Sequence, residues 1–134
     1  MPVLKRFGEA WNAIPEKQYK DEPGSWQAVA RRVLVESPTL AFQTRYFEVG
    51  PGGYTSFEKH CHEHVVVVVE GVGRVRLGDA WHPIAPGDVV HVLPNEPHQF
   101  RNDGDGRLGF VCIVDAIRDR PTLLRDTEPA DERQ

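Results

Sequence analysis

Residues 58–71 read EKHCHEHVVVVVEG: three histidines on alternate positions, a glutamate two residues ahead of the first, then five consecutive valines. Imidazole and carboxylate are transition-metal ligands, whereas a valine run suits a strand interior. Successive strand side chains alternate faces, so Glu58, His60, His62 and His64 share one side and Lys59, Cys61 and Glu63 the other. A straight strand rises about 3.3 Å per residue, which would hold the Cα atoms of His60 and His64 about 13 Å apart, too far for two bonds of about 2 Å to one ion. The chain is therefore expected to turn at 61–63. Glu58 and His60 then close one strand and His64 opens the next, whose valines are expected to be buried on both faces. The other register starts from His60 and His62, and the same spacing lands on Val66, which cannot bind metal.

A further ligand comes from LPNEPHQFRN, residues 93–102, where His98 follows a proline-rich turn and Phe100 shares its face for the core. Glu58, His60, His64 and His98 are thus the expected metal ligands. Three neutral imidazoles and one carboxylate around a divalent ion leave a charge of about +1 and, in six-coordination, about two open positions. The set is borderline in softness and admits one divalent transition-metal ion per chain, whether Mn, Fe, Ni, Co, Cu or Zn. His62 is read as lining the site against substrate or a ligand rather than as a ligand itself. Arg45, Tyr46 and Gln99 are further substrate-contact candidates, with the inward-facing member of the Arg45–Tyr46 pair left open. His82 and His91 read as an edge and a strand residue without partners at useful spacing. Cys61 is expected to face away from the ion, and Cys112 to pack in the core.

Around these motifs, EPGS, GPGG, EGVG, LGDA, APGD, LPNEP and NDGDG punctuate short runs rich in valine, phenylalanine, tyrosine and isoleucine. VARRVLV, LAFQTRYFEV, HVVVVVE, GRVRLG, DVVHVL and LGFVCIVD are of strand length, and many short strands between turns indicate an all-β sandwich or closed barrel. At 134 residues the chain suits one domain. We divide it into an N-terminal arm (1–30), a barrel (31–118) and a C-terminal tail (119–134), whose last eight or so residues are expected to be disordered. The start, MPVLKRFGEA, lacks the apolar stretch of an export signal, so a cytoplasmic protein without a structural disulfide is expected. The longest apolar run, 65–69, falls far short of the roughly 20 residues of a membrane span, and a net charge of −4 with interspersed signs argues against a nucleic-acid surface. Trp11, Ile14, Tyr19, Trp26 and Val29 give the arm more apolar surface than a solvated tail carries, which predicts a homodimer that buries them, or an arm folded back on its own barrel.

PGGYTSFEKHCHEHVVVVVEGVG and PGDVVHVLPNEPHQFRN together resemble the two motifs of the cupin superfamily, and the chain resembles its small, single-domain, type-2 members. Gly87, Pro94, His98 and Asn102 fall where that family places its turn, ligand and capping residues. Counted back from Gly71, Glu58 holds the family's first histidine position, His60 its second, and His64 its usual glutamate position, so the acidic ligand has changed places. The resemblance implies a double-stranded β-helix, or jelly-roll barrel, with the metal inside its mouth, and often a homodimer. The expected function is that of an enzyme, dioxygenase-like, acting on an oxygen-bearing small molecule through the metal. A metal-dependent isomerase and a non-catalytic binding or sensing module are the alternatives.

Overall fold

The glycine and proline turns cut the chain into short strands, and the computed structural model describes residues 4–20, 24–118 and 121–124. The elements in order are α1 (Glu9–Asn12), β1 (Gln27–Val35), β2 (Phe42–Tyr54), β3 (Glu58–Lys59), β4 (His64–Glu70), β5 (Gly73–Leu77), β6 (Ala80–Ile84), β7 (Val89–Val92), β8 (His98–Arg101), β9 (Leu108–Asp115) and β10 (Thr122–Leu123). One sheet runs β1-β2-β9-β4-β7 and the other β6-β5-β8-β3-β10, and they join where Tyr54 of β2 pairs with Arg101 of β8. Every pairing is antiparallel, and the sheet curls into a jelly-roll β-barrel, as expected. Val49, Val66, Val68, Val75, Phe100 and Phe110 meet inside it.

The turn at 61–63 is present, between β3 and β4. The valine run, however, is not buried on both faces. Val66 and Val68 are each 1% exposed, whereas Val65 is 37% exposed and Val67 and Val69 are half-buried. β4 lies between β7 and β9 with only one face toward the core, and an antiparallel sheet tolerates solvent on the other. Full burial of a valine contributes roughly 1.5–3 kcal/mol, so Val66 and Val68 anchor the strand while their neighbours mainly supply strand propensity.

The stretch of β2 that is buried on both faces is 45–49. Arg45, Phe47 and Val49 face the interior, and Tyr46 and Glu48 face outward beneath the N-terminal arm. There Trp11 stacks edge-on to Tyr46 at 5.1 Å, and Arg32 donates to the Ile14 carbonyl (3.0 Å) and to Glu48. Tyr46 donates to Glu70 (2.9 Å), which also accepts from Arg107 (2.9 Å). The arm lies back on its own barrel: Lys17 bridges to Arg31 of β1, Tyr19 and Trp26 pack against the core, and Val29 is buried. A dimer is thus not required to bury those residues.

The boundaries also shift. β1 begins inside the expected arm, and Thr122 and Leu123 of the expected tail pair with Lys59 and Glu58. The segment expected to be disordered lies outside the described residues.

Turn chemistry holds these strands in register. Gly71, between β4 and β5, has φ +75°, and a Cβ placed there would lie 2.0 Å from the Arg107 carbonyl oxygen. Asn102 is fully buried and donates to the Val49 (2.8 Å) and Gly106 (2.7 Å) carbonyls while accepting from the Gly104 amide (2.9 Å). Gly71→Ala combines a left-handed backbone with a backbone clash, and is expected to destabilise the fold by about 2 kcal/mol or more, read from the midpoint of chemical denaturation. An unchanged midpoint would show that the β4–β5 turn can relax.

Candidate metal centre

β3 ends at Lys59, and the turn carries His60 and His62 to the mouth of the barrel, where β4 supplies His64 and β8 supplies His98. Glu58 of β3 pairs with His98 of β8, which brings the carboxylate beside the imidazoles. The loop 93–97 is clipped to the turn by the Asn95 amide, which donates to the His60 carbonyl (2.7 Å) with Asn95 in the left-handed region (φ 60°).

Hydrogen bonding orients the rings. His60 donates from Nδ1 to the His62 carbonyl (2.8 Å), and His98 donates from Nδ1 to the Glu96 carbonyl (2.9 Å). A carbonyl only accepts, so the neutral rings keep their Nε2 lone pairs free. Burial is the main reason that all three stay neutral: it holds His60 down at about 4, with His98 and His62 adding repulsion, and it also lowers His64 and His98. The Nε2 atoms of His60 and His64 lie 2.7 Å apart, and the ring centroid of His98 is 4.7 Å from that of His60 and 5.2 Å from that of His64.

Two adjacent nitrogen ligands at about 2.1 Å from one octahedral ion sit about 3 Å apart, within a few tenths of the His60–His64 separation. With no ion, that separation suits an Nε2–H bridge from His64 to His60. The other nitrogen of His64, Nδ1, meets the Cys112 thiol at 2.9 Å, and burial pushes that thiol's pKa up, so it can donate there or accept. The donor set therefore fits a divalent transition ion.

Distance alone would select a different trio, because the ligand atoms of His60, His62 and His64 all lie within 4.8 Å of one another. His62 stacks on His60 at 3.7 Å with 5° between the planes, and His64 stacks on His60 at 4.4 Å with 27° between them. His62 lines the pocket at the mouth.

Glu58 is buried and accepts from Ser56 Oγ (2.7 Å) and from Lys20 Nζ (3.2 Å). Each carboxylate oxygen has two lone pairs, so one remains on each. A pocket of about 490 Å³ opens over Glu58, His60, His62 and His64, and its remaining walls include Lys20, Arg31, Arg45 and Arg118. Below them a void of about 40 Å³, between His64, His98, Phe47 and Phe110, closes the floor.

Of the substrate-contact candidates, Arg45 and His62 reach this pocket. Tyr46 does not, because strand alternation turns it outward under the arm. Gln99 faces away from His98 by the same alternation: it donates to the Thr55 carbonyl (2.9 Å) and lines a separate pocket with Tyr54, Phe57 and Arg101. Cys61 is exposed, with its thiol 3.7 Å from Asn95 Oδ1. His91, expected to lack a partner, meets Glu63 at 2.5 Å on the surface. Cys112 was expected only to pack, yet it touches His64 and accepts from Arg45 Nη2 (3.4 Å). Its signal in the sequence would have been strand register, since it pairs with Arg45 on β2 and with Val66 on β4. Lys20, Arg31 and Arg118 carried no comparable signal.

Residues 45–114 match the sequence profile of the family described as Cupin domain. The chain is 39% identical over 121 residues, 90% of its length and 78% of the relative's, to 1-methylthio-D-xylulose 5-phosphate methylsulfurylase of Rhodospirillum rubrum. The crystal structure of a cupin-2 domain from Rhodospirillum rubrum is similar with a TM-score of 0.80 at 37% identity, covering 94% of this chain and 84% of that one. A cupin 2 conserved barrel domain protein from Rhodopseudomonas palustris gives a TM-score of 0.78 at 39% identity, over 84% and 79% of the two chains.

In the metal-free protein, a folded-state value for His60 of about 4 against the usual 6.5 means that the unfolded chain takes up a proton first as pH falls. This contribution is expected to be complete above pH 6.5, to decline from there toward about pH 4, and to shrink in His60→Gln, as measured by thermal unfolding across that range. A metal-free wild type with a melting temperature independent of pH across the window would contradict it.

Proposed function

The chain belongs to the cupin domain family, and on that footing we propose that it is a metal-dependent enzyme acting on an oxygen-bearing small molecule, with Glu58, His60, His64 and His98 as ligands of one divalent transition-metal ion. The observation that carries this reading is the close approach of the His60 and His64 Nε2 atoms beside a third imidazole, with backbone carbonyls taking the Nδ1 protons of His60 and His98.

When bound, such an ion supplies Lewis acidity toward a carbonyl or hydroxyl oxygen. The protein's own groups do the rest. The Glu96 and His62 carbonyls hold His98 and His60 in one tautomer, and Cys112 holds His64. Lys20 and Ser56 hold Glu58 in orientation by donating to its two carboxylate oxygens. Phe47 and Phe110 give the void beneath the imidazoles an apolar wall. His62, half-exposed on the ring of His60, is placed to meet a substrate entering from the mouth.

Dioxygenase chemistry is the narrower form of this proposal, and isomerisation of a carbonyl compound is the second reading. The Rhodospirillum rubrum relative, named as a methylsulfurylase of a ketose phosphate derivative, bears on the class of substrate rather than on the choice between these reactions. The pocket wall favours the second reading, because imidazoles are the only aromatic side chains among its lining residues, and a catechol or flavonol needs apolar walls. A binding module without turnover would use the same ligands. The homodimer also belongs to this proposal: Val35, Phe42, Val65, Val89 and Ile113 are exposed on the outer face of one sheet, and a second copy would cover them.

Elemental analysis of purified variants tests the ligand set. His60→Ala and His98→Ala should fold and lose metal severalfold, Glu58→Gln should lose part of it, and His62→Ala should keep it. Loss in His62→Ala together with retention in Glu58→Gln would overturn the assignment. Oxygen uptake with a panel of hydroxy acids, diketones and ketoses, measured beside product formation, separates the oxidative form from isomerisation, and tight binding without product favours the module. Light scattering should give a dimer mass at micromolar concentration, and a monomer mass would remove the dimer alone.

A further inference from the structure

The pocket above the imidazoles is strongly cationic, and the metal reading leaves its charge unused. Arg31, Arg45, Arg118 and Lys20 line it, and Glu58 is the one carboxylate among its lining residues. Glu58 is engaged by Lys20. No ion pair joins Arg31, Arg45 or Arg118 to a carboxylate among the described residues, although the outer face of the same strands pairs Arg32 with Glu48 and Glu16.

Strand register explains the clustering. Val33 of β1 pairs with Arg45 of β2, so Arg31, two residues back on the same face, lies diagonally beside Arg45. Arg118 follows β9, whose Cys112 pairs with Arg45 on its other side. The three guanidiniums make few bonds. Arg45 is only 7% exposed, its Nη2 donates weakly to Cys112 (3.4 Å), and its Nε has no partner. Arg31 donates from Nη2 to the Gln18 carbonyl (3.1 Å), and its Nε is likewise buried without a partner. Arg118 donates from Nη1 to the carbonyls of Asp115 (2.8 Å) and Ala116 (3.4 Å). Burial first, and then the charges of its two neighbours, hold Arg31 below its usual value, and burial and Arg45 do the same to Arg118. Unpaired buried guanidinium is costly, and a cluster of like charges adds repulsion.

We infer that Arg31, Arg45 and Arg118 form the subsite for a phosphate monoester on the substrate, which places the substrate's other oxygens over the imidazoles. A phosphate dianion offers acceptor oxygens on several sides, so forked donors from two strands and the segment after a third can converge on it, and a planar carboxylate matches fewer of them. The pocket of about 490 Å³ has room for a phosphorylated small molecule of sugar size. Lys20, which the arm supplies, balances Glu58 and so keeps that carboxylate from repelling the dianion. This subsite deepens the metal reading, on which it rests for the position of the reacting end, but the arginine cluster stands on its own geometry.

Calorimetric titration of the full-length protein with xylulose 5-phosphate, xylulose, a sugar acid of the same length and inorganic phosphate tests it. The phosphorylated sugar is expected to bind at least about tenfold more tightly than the free sugar, with Arg118→Gln and Arg45→Gln each weakening it about tenfold. Arg74→Gln, which removes a surface ion pair with Asp103, should change nothing. Because Arg45 is buried and its variant can fail to fold, the partly exposed Arg118 provides the independent readout. Metal content measured on the same samples should stay at the wild-type level, and inorganic phosphate should still bind to His98→Ala, so failure of the subsite and failure of the metal assignment are read separately. Equal affinity for sugar and sugar phosphate, equal affinity for the sugar acid, or Arg118→Gln and a folded Arg45→Gln both within twofold of wild type would each overturn the subsite.

Discussion

The turn between His60 and His64 is the constraint on which the site depends. Two histidines four residues apart on one straight strand could not share an ion, and here the end of β3 and the start of β4 bring their Nε2 atoms to 2.7 Å. That approach needs the strands on either side to be held independently. Val66 and Val68 fix β4 through the core, and the pairing of Glu58 with His98 fixes β3 to β8. The loop before His98 is tied back to the turn through Asn95, so the imidazoles rest on one connected frame. A metal centre on such a frame is preorganised, because rotamer freedom is removed by packing and by Nδ1 contacts rather than by the ion.

The two faces of β2 show how one strand serves two purposes. Its inward residues continue from Arg45 in the pocket to Phe47 under the imidazoles and Val49 in the core. Its outward residues hold the arm, through Tyr46 against Trp11 and through Glu48 between Arg32 and Arg107. The arm in turn delivers Lys20 to Glu58 and Tyr19 to Ser56. Stability and site chemistry are therefore coupled through a segment that the sequence marks only by its surplus of apolar residues.

Electrostatics divides the molecule in the same way. Outer-face arginines are neutralised by carboxylates, whereas the inner-face arginines are left facing one another around the pocket. A fold with 20 acidic residues against 16 basic ones could have paired them. It leaves instead a half-buried cationic cluster around the buried Arg45 beside the imidazoles, the pattern of a binding surface rather than of a structural ion-pair network, which would carry both signs.

Short apolar runs between glycine and proline turns were sufficient to read an all-β sandwich or barrel, the resemblance to the cupin motifs pointed to the barrel, and the spacing from Glu58 to His64 was sufficient to require a turn, because strand rise is a fixed length. Asn102 and Gly71 were legible as turn residues for a similar reason, since their chemistry is local. What the sequence could not decide was which face of a strand meets core, solvent or arm. Parity alone put Arg45 and Tyr46 on opposite sides without saying which side was inward, left Gln99 beside His98 although it points elsewhere, and buried Val65 that is in fact exposed. Those outcomes depend on what packs against each face. Cys112 behind His64, Lys20 on Glu58 and the meeting of Arg31, Arg45 and Arg118 come from residues tens of positions apart, and only closure of the barrel brings them within bonding or Coulombic reach.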